Sequence, residues 1–312
     1  MFENPYLSAL ISTTTLAAML RISTPLIWAS IGGSFTNKTG TFNIGIESFI
    51  LTSAFFAMCG SYLAHSPWIG LLFGVLSGLL LAGLFGLFVL HFRANSMVVG
   101  ISLNLSAWGL TTLLMVVLFN TRGSIHDPSI VPFSPIDVPV LRDIPILSDI
   151  FNNQTILVYS AIVVALLAWL VMYKTPFGLR LRSVGLNERA AQTAGVNVNL
   201  YRWISILISG ALAGVGGTFL SLNNLAMFNE NMSAGRGFLA VAAIMMGNGN
   251  PLKVLLACFV FGYAEALTTT MQGLDIPSQI IRTFPYIATL VVMFLSCLKN
   301  FKGKPLLDIR GN

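Results

Sequence analysis

Long apolar stretches dominate the chain, and short polar segments separate them. The apolar stretches run over 7–31, 45–65, 68–90, 96–119, 154–173, 203–222, 237–248, 252–270 and 279–298. Most of them have about 20 residues, which is the length that a helix needs to cross a bilayer. Alternating strands of about ten residues are absent from the pattern, so it predicts spanning helices rather than a membrane barrel.

Two of these stretches deviate from a plain span. Segment 7–31 contains Arg21 and Pro25, which favours a surface helix followed by a span. Segment 237–248 is short and runs into Gly-Asn-Gly-Asn-Pro, which is typical of a broken helix. We therefore predict an all-α polytopic membrane protein with about 8–10 transmembrane helices and a broken or re-entrant segment, formed by 1–312 as one domain.

The composition indicates the same class of protein. The chain is 55% hydrophobic and only 9% charged, whereas soluble domains carry about 25% charged residues. A soluble protein with so little charge could not cover its surface, so we exclude an ordinary soluble domain. The net charge of +6 indicates basic loops at anionic lipid rather than nucleic acid. Cys59, Cys258 and Cys297 lie in apolar stretches without metal-ligand or disulfide spacing.

Lysine and arginine are distributed unevenly among the polar segments. They concentrate in the 174–202 loop and in the tail 299–312, whereas the proline-rich link 120–153 has two arginines against four aspartates. Basic loops stay on the cytoplasmic side of a membrane. We therefore predict a cytoplasmic 174–202 loop and tail, and an external link. Segment 237–248 must then complete a crossing, because the number of crossings between the loop and the tail is even.

The 174–202 loop contains the signals of a short helix between arginines. Asn187 is typical of a helix N-cap, Glu188 suits the first turn, and Gly195 is a C-terminal stop. The helix formers of the segment are Ala190, Ala191 and Ala194. The flanking arginines are Arg180, Arg182, Arg189 and Arg202. A helix with a small-residue face suits docking into a groove on a partner, and a surface helix held at lipid headgroups is the alternative.

Four stretches resemble one family of membrane transporters. The segment RSVGLNERAAQTAGVNV, 182–198, resembles the cytoplasmic coupling loop of the ABC-importer permeases that include branched-chain amino acid, ribose and nucleoside permeases. GGSFTNKTGTFNIGIESFIL, 32–51, resembles the early motif of that family, and GRGFLAVAAIMMGNGNP, 235–251, a later one. IPSQIIRTFPYIATLVVMF, 276–294, resembles the last span. The likeness covers nearly the whole chain and is nearest to the nucleoside and simple-sugar branch.

Two residues depart from the pattern of that family. Ser48 stands where a glycine often follows the glutamate, and Glu265 stands where aspartate is frequent. Neither departure changes the family that the sequence resembles, although both bear on the fit of a substrate.

The resemblance implies the permease subunit of an ABC importer in the bacterial cytoplasmic membrane, with a nucleoside or a simple sugar as cargo. Its partners would be ATPase subunits, a second permease that is homologous or identical, an external solute-binding protein and membrane lipids, with no nucleic acid. The residues that the resemblance assigns to coupling with the ATPase are Arg182, Gly185, Asn187, Arg189, Ala190, Ala191, Ala194 and Gly195.

The sequence has no phosphate-binding loop of the form G-x-x-x-x-G-K-[ST]. Without that backbone cradle we expect no ATP hydrolysis by this chain itself. We therefore expect a transport subunit rather than an enzyme, with no bound cofactor or metal, whose ATP is used by a partner subunit.

Polar and aromatic residues within the predicted spans are candidates for a translocation path, because polar groups at membrane depth usually face protein or a cavity. These residues are Asn43, Glu47, Asn104, Trp108, Asn223, Asn224 and Glu265. The last two asparagines of this set also fit a simple helix cap at the end of a span.

Each of the other candidates has a plainer structural interpretation. Glu47 suits the first turn of a helix, and Asn104 suits a hydrogen bond between helices. Trp108 suits packing against lipid or core. Glu265 suits an ion pair with Arg282 or with another span.

Two other functions remain open from the residues alone. An ion-coupled secondary transporter or a channel would need no ATPase, and paired acids within the membrane, Glu47 with Glu265, would support it. A scaffolding membrane protein could use the arginine-rich loop to hold lipid or a partner.

Overall fold

The computed structural model describes residues 12–137, 149–223 and 226–271. Its helices are α1 (Thr13–Lys38), α2 (Ile46–Ala64), α3 (Pro67–Gly86, continued by a π-helical turn at Leu87–His91), α4 (Ser96–Phe119), α5 (Ile156–Lys174), α6 (Pro176–Leu186), α7 (Glu188–Thr193), α8 (Val198–Leu222), α9 (Arg236–Met246) and α10 (Pro251–Met271). Its strands are β1 (Ser124–His126), β2 (Pro135–Ile136), β3 (Gln154–Thr155) and β4 (Met227–Asn229). The predicted span 279–298, the tail 299–312, Asn224, Arg282 and Cys297 lie outside the described residues.

Within those residues, seven helices are long and apolar enough to cross a membrane, namely α1, α2, α3, α4, α5, α8 and α10. The short helix α9 has 11 residues and replaces a full span, as the broken-helix pattern predicts. Most predicted ends agree with the observed ones within about two residues. Helix α8 begins earlier than predicted because the side chain of Asn197 accepts a hydrogen bond from the amide of Leu200 at 3.1 Å and caps it.

Helix α1 differs from the expectation of a surface helix followed by a span. One helix of 26 residues passes through Pro25 and ends at Lys38. Two hydroxyls next to the proline donate back within the helix, from Ser23 to the Met19 carbonyl at 2.6 Å and from Thr24 to the Leu20 carbonyl at 2.7 Å. Proline is tolerated in membrane helices where such hydroxyls and neighbouring helices satisfy the local polar groups.

The interior of the bundle is formed by α1, α2 and α8, most of whose residues are buried, whereas α3, α4 and α5 lie at the periphery and are mostly exposed. Glycines allow the close packing of α3 on α8. A Cβ atom on Gly78 would lie 2.4 Å from the carbonyl oxygen of Gly210, and one on Gly214 would lie 2.9 Å from that of Gly74. The glycine spacing seen in the sequence therefore serves packing within this chain.

The two ends of the bundle carry different segments. At one end, the amide of Phe133 donates to the carbonyl of Leu222 at 2.9 Å, and the Ser61 hydroxyl donates to the Val131 carbonyl at 3.0 Å. Antiparallel pairs join β1 to β4 and β2 to β3 at this end. The opposite end carries the 174–202 loop, and the positive-inside rule assigns that end to the cytoplasm.

Two helices begin inside the bundle rather than at its surface. A Cβ atom on Gly33 would lie 2.7 Å from the Ile46 side chain, so α2 begins about 7 Å below the cytoplasmic end of α1. A Cβ atom on Gly237 would lie 2.5 Å from the Glu47 backbone, so α9 begins at a similar depth. The non-helical backbone that leads to these helices, 39–45 and 230–235, is therefore surrounded by protein, as membrane depth requires.

Replacing Gly78 by leucine tests the packing of α3 on α8. The new side chain would overlap the backbone of α8, and overpacking of this kind costs about 1–3 kcal/mol. We expect G78L to lower the apparent unfolding temperature of the detergent-solubilised protein, measured by size exclusion after heating. The matched control is G83L on the same helix, because nothing lies within 4 Å of a Cβ atom at Gly83. Equal unfolding temperatures for the two variants would contradict this packing.

Candidate functional site

The carboxylate of Glu47 caps helix α9 in the interior of the bundle. Its Oε1 atom accepts a hydrogen bond from the amide of Gly235 at 2.8 Å, and its Oε2 atom accepts one from the amide of Gly237 at 2.5 Å. The first amides of a helix have no partner within it, and the helix dipole makes this end attractive to an anion. Glu47 is only 7% exposed, so water does not compete for the carboxylate.

The glycines on either side of Arg236 make this cap possible. Gly235 has a φ of +82°, a conformation that favours glycine. A Cβ atom on Gly237 would overlap the Glu47 backbone, so only glycine lets α9 approach the carboxylate. The GRG sequence that opens the later family motif is therefore explained by the cap.

Arg236 joins the same helix end to α10. Its Nη2 atom lies 3.0 Å from Oε1 of Glu265, and its Nη1 atom donates to the Met232 carbonyl at 3.2 Å. The interpretation of Glu265 as one half of an ion pair is thus supported, with a partner that the sequence analysis does not name. Glu47 and Glu265 bind different partners, so they do not form the pair of available acids that an ion-coupled carrier would need.

Asn104 connects α4 to the start of α2. Its Oδ1 atom accepts from the amide of Ser48 at 2.9 Å, and its Nδ2 atom donates to the Ile44 carbonyl at 3.1 Å. Within the preceding loop, Oδ1 of the buried Asn43 accepts from the amide of Gly45 at 2.9 Å. These asparagines satisfy backbone groups at membrane depth, as the plainer interpretation of Asn104 proposes.

The remaining candidates for the path lie elsewhere. Asn223 follows α8 at the external end and accepts a hydrogen bond from the Thr155 hydroxyl at 3.2 Å. Trp108 lies on the outward face of α4, where its side chain is 47% exposed. The structure thus brings Asn43, Glu47 and Asn104 together around the start of α2 and leaves Trp108 apart from them.

The cytoplasmic loop contains the short helix that its sequence predicts. Asn187 caps α7, because its Oδ1 atom accepts from the amide of Ala190 at 3.1 Å. Ala194 forms the C-cap, and Gly195 ends the turn with a φ of +79°. A bidentate ion pair between Glu188 and Arg202, with a shortest distance of 2.9 Å, fixes α7 to the start of α8.

Ala191 differs from its expected role at the docking surface. It is 3% exposed and packs with Val184 and Val198 of the flanking helices. The exposed residues of α7 and its C-terminal end are instead Arg189, Ala190, Ala194 and Gly195. Ala191 therefore stabilises the loop from within and is not available to a partner.

Leu186 is exposed at the tip of the loop and is missed by the sequence analysis. Its side chain is 88% exposed, the largest value among the exposed large apolar side chains of the described residues. An apolar residue just before an N-cap commonly packs onto its own helix, and that expectation conceals the exposure. A protruding leucine beside an exposed arginine suits contact with another protein.

The arginines of the loop have two different roles. The guanidinium of Arg182 lies over the Tyr173 ring at 4.7 Å, and its Nε atom donates to the Gly178 carbonyl at 3.4 Å. Arg202 is engaged by Glu188, whereas Arg180 and Arg189 are exposed. The engaged arginines hold the loop together, and the exposed ones are free to meet lipid or a partner.

The loop is in direct contact with the end of α1. A Cβ atom on Gly185 would lie 2.1 Å from the Lys38 carbonyl oxygen, so α6 packs on the backbone there. Next to this contact, the hydroxyls of Thr39 and Ser205 lie 3.0 Å apart. The 39–45 segment that begins here leads directly to Glu47, which connects the cytoplasmic loop to the cap of α9.

Replacing Glu47 by glutamine tests the cap. The amide side chain can accept from one of the two backbone donors but offers its own N–H to the other, which leaves a buried donor unsatisfied at a cost of about 1–3 kcal/mol. We expect E47Q to unfold at a lower temperature than the wild-type protein. The control is E188Q, since an exposed ion pair contributes about 1 kcal/mol or less. A smaller loss for E47Q than for E188Q would contradict the assigned cap.

Comparison with known proteins was made on the sequence and on the fold. Residues 15–296 match the family described as "Branched-chain amino acid transport system / permease component". The chain is 39% identical over 290 residues to the nucleoside ABC transporter permease protein NupC of Lactococcus lactis, covering 89% of this chain and 90% of that protein. It is 33% identical over 287 residues to the guanosine ABC transporter permease protein NupQ of Bacillus subtilis, covering 88% and 89%.

A more distant relative and a solved structure complete the comparison. The nucleoside ABC transporter permease protein NupB, from the same Lactococcus lactis strain as NupC, is 23% identical over 309 residues, covering 96% of this chain and 83% of that protein. The fold is similar to an inward-facing structure of a metal-chelate type ABC transporter, with a TM-score of 0.52 at 15% identity, covering 91% of this chain and 86% of that chain. At this identity the structural likeness shows the shared fold alone.

Proposed function

Because the chain belongs to the branched-chain amino acid transport permease family, as the multi-pass permease subunit of an ABC importer in the bacterial cytoplasmic membrane, we propose that its cargo is a nucleoside. The observation that carries this proposal is the 39% identity to a relative named as a nucleoside permease, over 89% of this chain and 90% of the relative. The membership supports the importer over the ion-coupled carrier or channel.

The polar chemistry of the interior supports a neutral cargo. Both acids that the described spans place at depth are engaged, Glu47 by backbone amides and Glu265 by Arg236. A charged cargo would need an uncompensated group of opposite sign along its path, which is costly in a membrane. A nucleoside carries hydrogen-bonding groups without a net charge and therefore fits these surroundings.

Membership of an ABC permease family implies an ATPase and a solute-binding protein as partners. This chain has no phosphate-binding loop of the G-x-x-x-x-G-K-[ST] type, so the proposal includes that it binds no cofactor, catalyses no reaction itself and uses a partner's ATP. We place the ATPase contact at the exposed side of the cytoplasmic loop. The residues proposed for it are Leu186, Arg189, Ala190, Ala194 and Gly195.

The contacts of the loop support a route for the motion that ATP binding would produce. A displacement of α7 reaches α6 through the buried Ala191 and Val184. It reaches the end of α1 through the contact of Gly185 with Lys38. From there the 39–45 segment leads to Glu47 and the start of α9. Asn187 and Arg182 hold the loop rigid along this route, because a soft loop would absorb the motion.

A second permease subunit, homologous or identical, completes the proposed assembly. The existence of NupC and NupB in one Lactococcus lactis strain, both named as nucleoside permeases, supports a homologous partner. The face of α4 supports a subunit contact, because this helix is mostly exposed and carries small polar residues on its exposed side. These residues are Ser102, Ser106 and Gly109. Small residues at such spacing allow close approach of another helix.

Replacing Ala190 by tryptophan tests the docking surface. The new ring would project from the exposed side of α7 and block the approach of the ATPase, while the fold of the loop stays intact. We expect A190W to lose most of its ATP-driven uptake and to co-purify with less ATPase subunit. The control is L179W, since Leu179 of α6 is 62% exposed but lies outside the proposed contact. Normal uptake and co-purification with A190W would refute the assigned surface.

Transport by the complete system tests the cargo. We expect cells that contain this permease with its partners to take up tritiated guanosine or uridine, because neutral hydrogen-bonding cargo suits the interior. Excess unlabelled nucleoside should compete for uptake, whereas leucine and ribose should not. The control is the same strain with the permease deleted. Competition by leucine or ribose, without competition by nucleosides, would contradict the proposal.

A further inference from the structure

We propose that the external half of α4 carries a nucleoside-binding groove in which Trp108 stacks on the base and Glu230 accepts hydrogen bonds from it or from the ribose. The inference rests on the proposed nucleoside function and adds the place where this chain receives its cargo. Trp108 is the only member of the groove that the sequence analysis singles out. Thr112, Arg122 and Glu230 have no role in the cap or in the cytoplasmic loop.

The groove has the size of a small-molecule site. Its volume is about 700 Å³, within the range of about 300–1,000 Å³ that ligand sites occupy. One wall is α4 between Leu105 and Val117, and the rim is formed by Arg122 and Glu230. The lining is therefore mainly apolar with a few polar groups at one edge, which is the usual composition of a ligand site.

The polar edge is built by the external segments. The Thr112 hydroxyl donates to Oε1 of Glu230 at 3.0 Å, which ties the carboxylate to α4. The amide of Glu230 donates to the Gly123 carbonyl at 2.8 Å, next to the pairing of β1 with β4. Within the described part of the chain Glu230 has no ion pair, so its Oε2 atom is free to accept a hydrogen bond. Ribose hydroxyls and the N–H groups of a base are donors for such an atom.

Trp108 supplies a flat apolar surface beside this carboxylate. Its side chain is 47% exposed, and no ring of the described residues stacks on it. Stacking of a base on an aromatic side chain stabilises binding by about 1–3 kcal/mol. A simple sugar has no aromatic face, so this surface favours a nucleoside over a sugar.

The charges of the groove distinguish cargo from lipid as its occupant. A carboxylate on the outer face of a membrane helix is costly unless it faces water or protein. Glu230 and Arg122 at the rim therefore indicate an aqueous cavity rather than a surface for acyl chains. The groove is also open at the external end, which a cargo from outside reaches first.

The face of α4 continues from the groove toward the cytoplasm with small polar residues. Ser102 and Ser106 are exposed and lie on the side of α4 that lines the groove, at helical spacing from Gly109. No charged side chain of α4 interrupts this side. A neutral cargo released from the groove therefore meets hydroxyl groups along the helix.

Photolabelling of the complete transporter with 8-azidoguanosine tests the groove directly. We expect labelling of the α4 peptide in the wild-type protein and about a tenfold decrease with W108L, because the stacking surface is lost. W108F should retain labelling within about twofold, since it restores an aromatic face. E230Q should also reduce labelling, because an amide accepts more weakly than a carboxylate. The control is L110A, whose exposed side chain is on the same helix but outside the groove.

Transport measured on the same variants distinguishes binding from assembly. We expect W108L to retain ATP hydrolysis stimulated by the binding protein, while the amount of guanosine delivered per ATP falls about tenfold. Labelling or delivery by W108L equal to that of L110A would overturn the groove, as would a loss of the second permease on size exclusion. Uptake of guanosine by the wild-type protein with unaffected variants would refute the groove alone. No uptake of any nucleoside by the wild-type protein would refute the proposed function.

Discussion

A helix that begins inside a membrane exposes backbone amides that no water can satisfy, and the rest of this structure depends on how those amides are paired. Glu47 satisfies them for α9, and Asn104 satisfies one of them for α2. Each cap comes from a different helix, so α2, α4 and α9 are joined by backbone hydrogen bonds rather than by apolar packing alone. Non-directional packing would allow these helices to slide, whereas the caps fix the level at which each one begins.

This arrangement gives the few buried charges a structural task. Glu47 and Arg236 both act at the start of α9, on opposite sides, and Glu265 balances the arginine. The interior then offers hydroxyl and amide groups but no uncompensated charge among the described spans. The same arrangement explains how a small displacement of the cytoplasmic loop can matter, because Gly185 contacts the end of α1 from which the chain runs to Glu47.

Local signals in the sequence predict the elements of this protein well, and partners distant in the chain are what they miss. The spans follow from apolar length, and α7 follows from Asn187 and Gly195, which act within a few residues. The partner of Glu47 lies 188 residues away, so no local pattern identifies it. The direction of Ala191 depends on Val184 and Val198 in two flanking helices. Pro25 suggests an interruption, but tertiary packing keeps α1 continuous.

The central claim is that a separate ATPase moves this permease through the cytoplasmic loop. Accumulation of tritiated guanosine in liposomes tests it most directly, with the permease and its partners reconstituted, the solute-binding protein present outside, and ATP supplied on the cytoplasmic face. The account predicts accumulation above the external concentration only when the ATPase subunits and ATP are both present. Accumulation by the permease without ATPase subunits, driven by an imposed ion gradient, would contradict it.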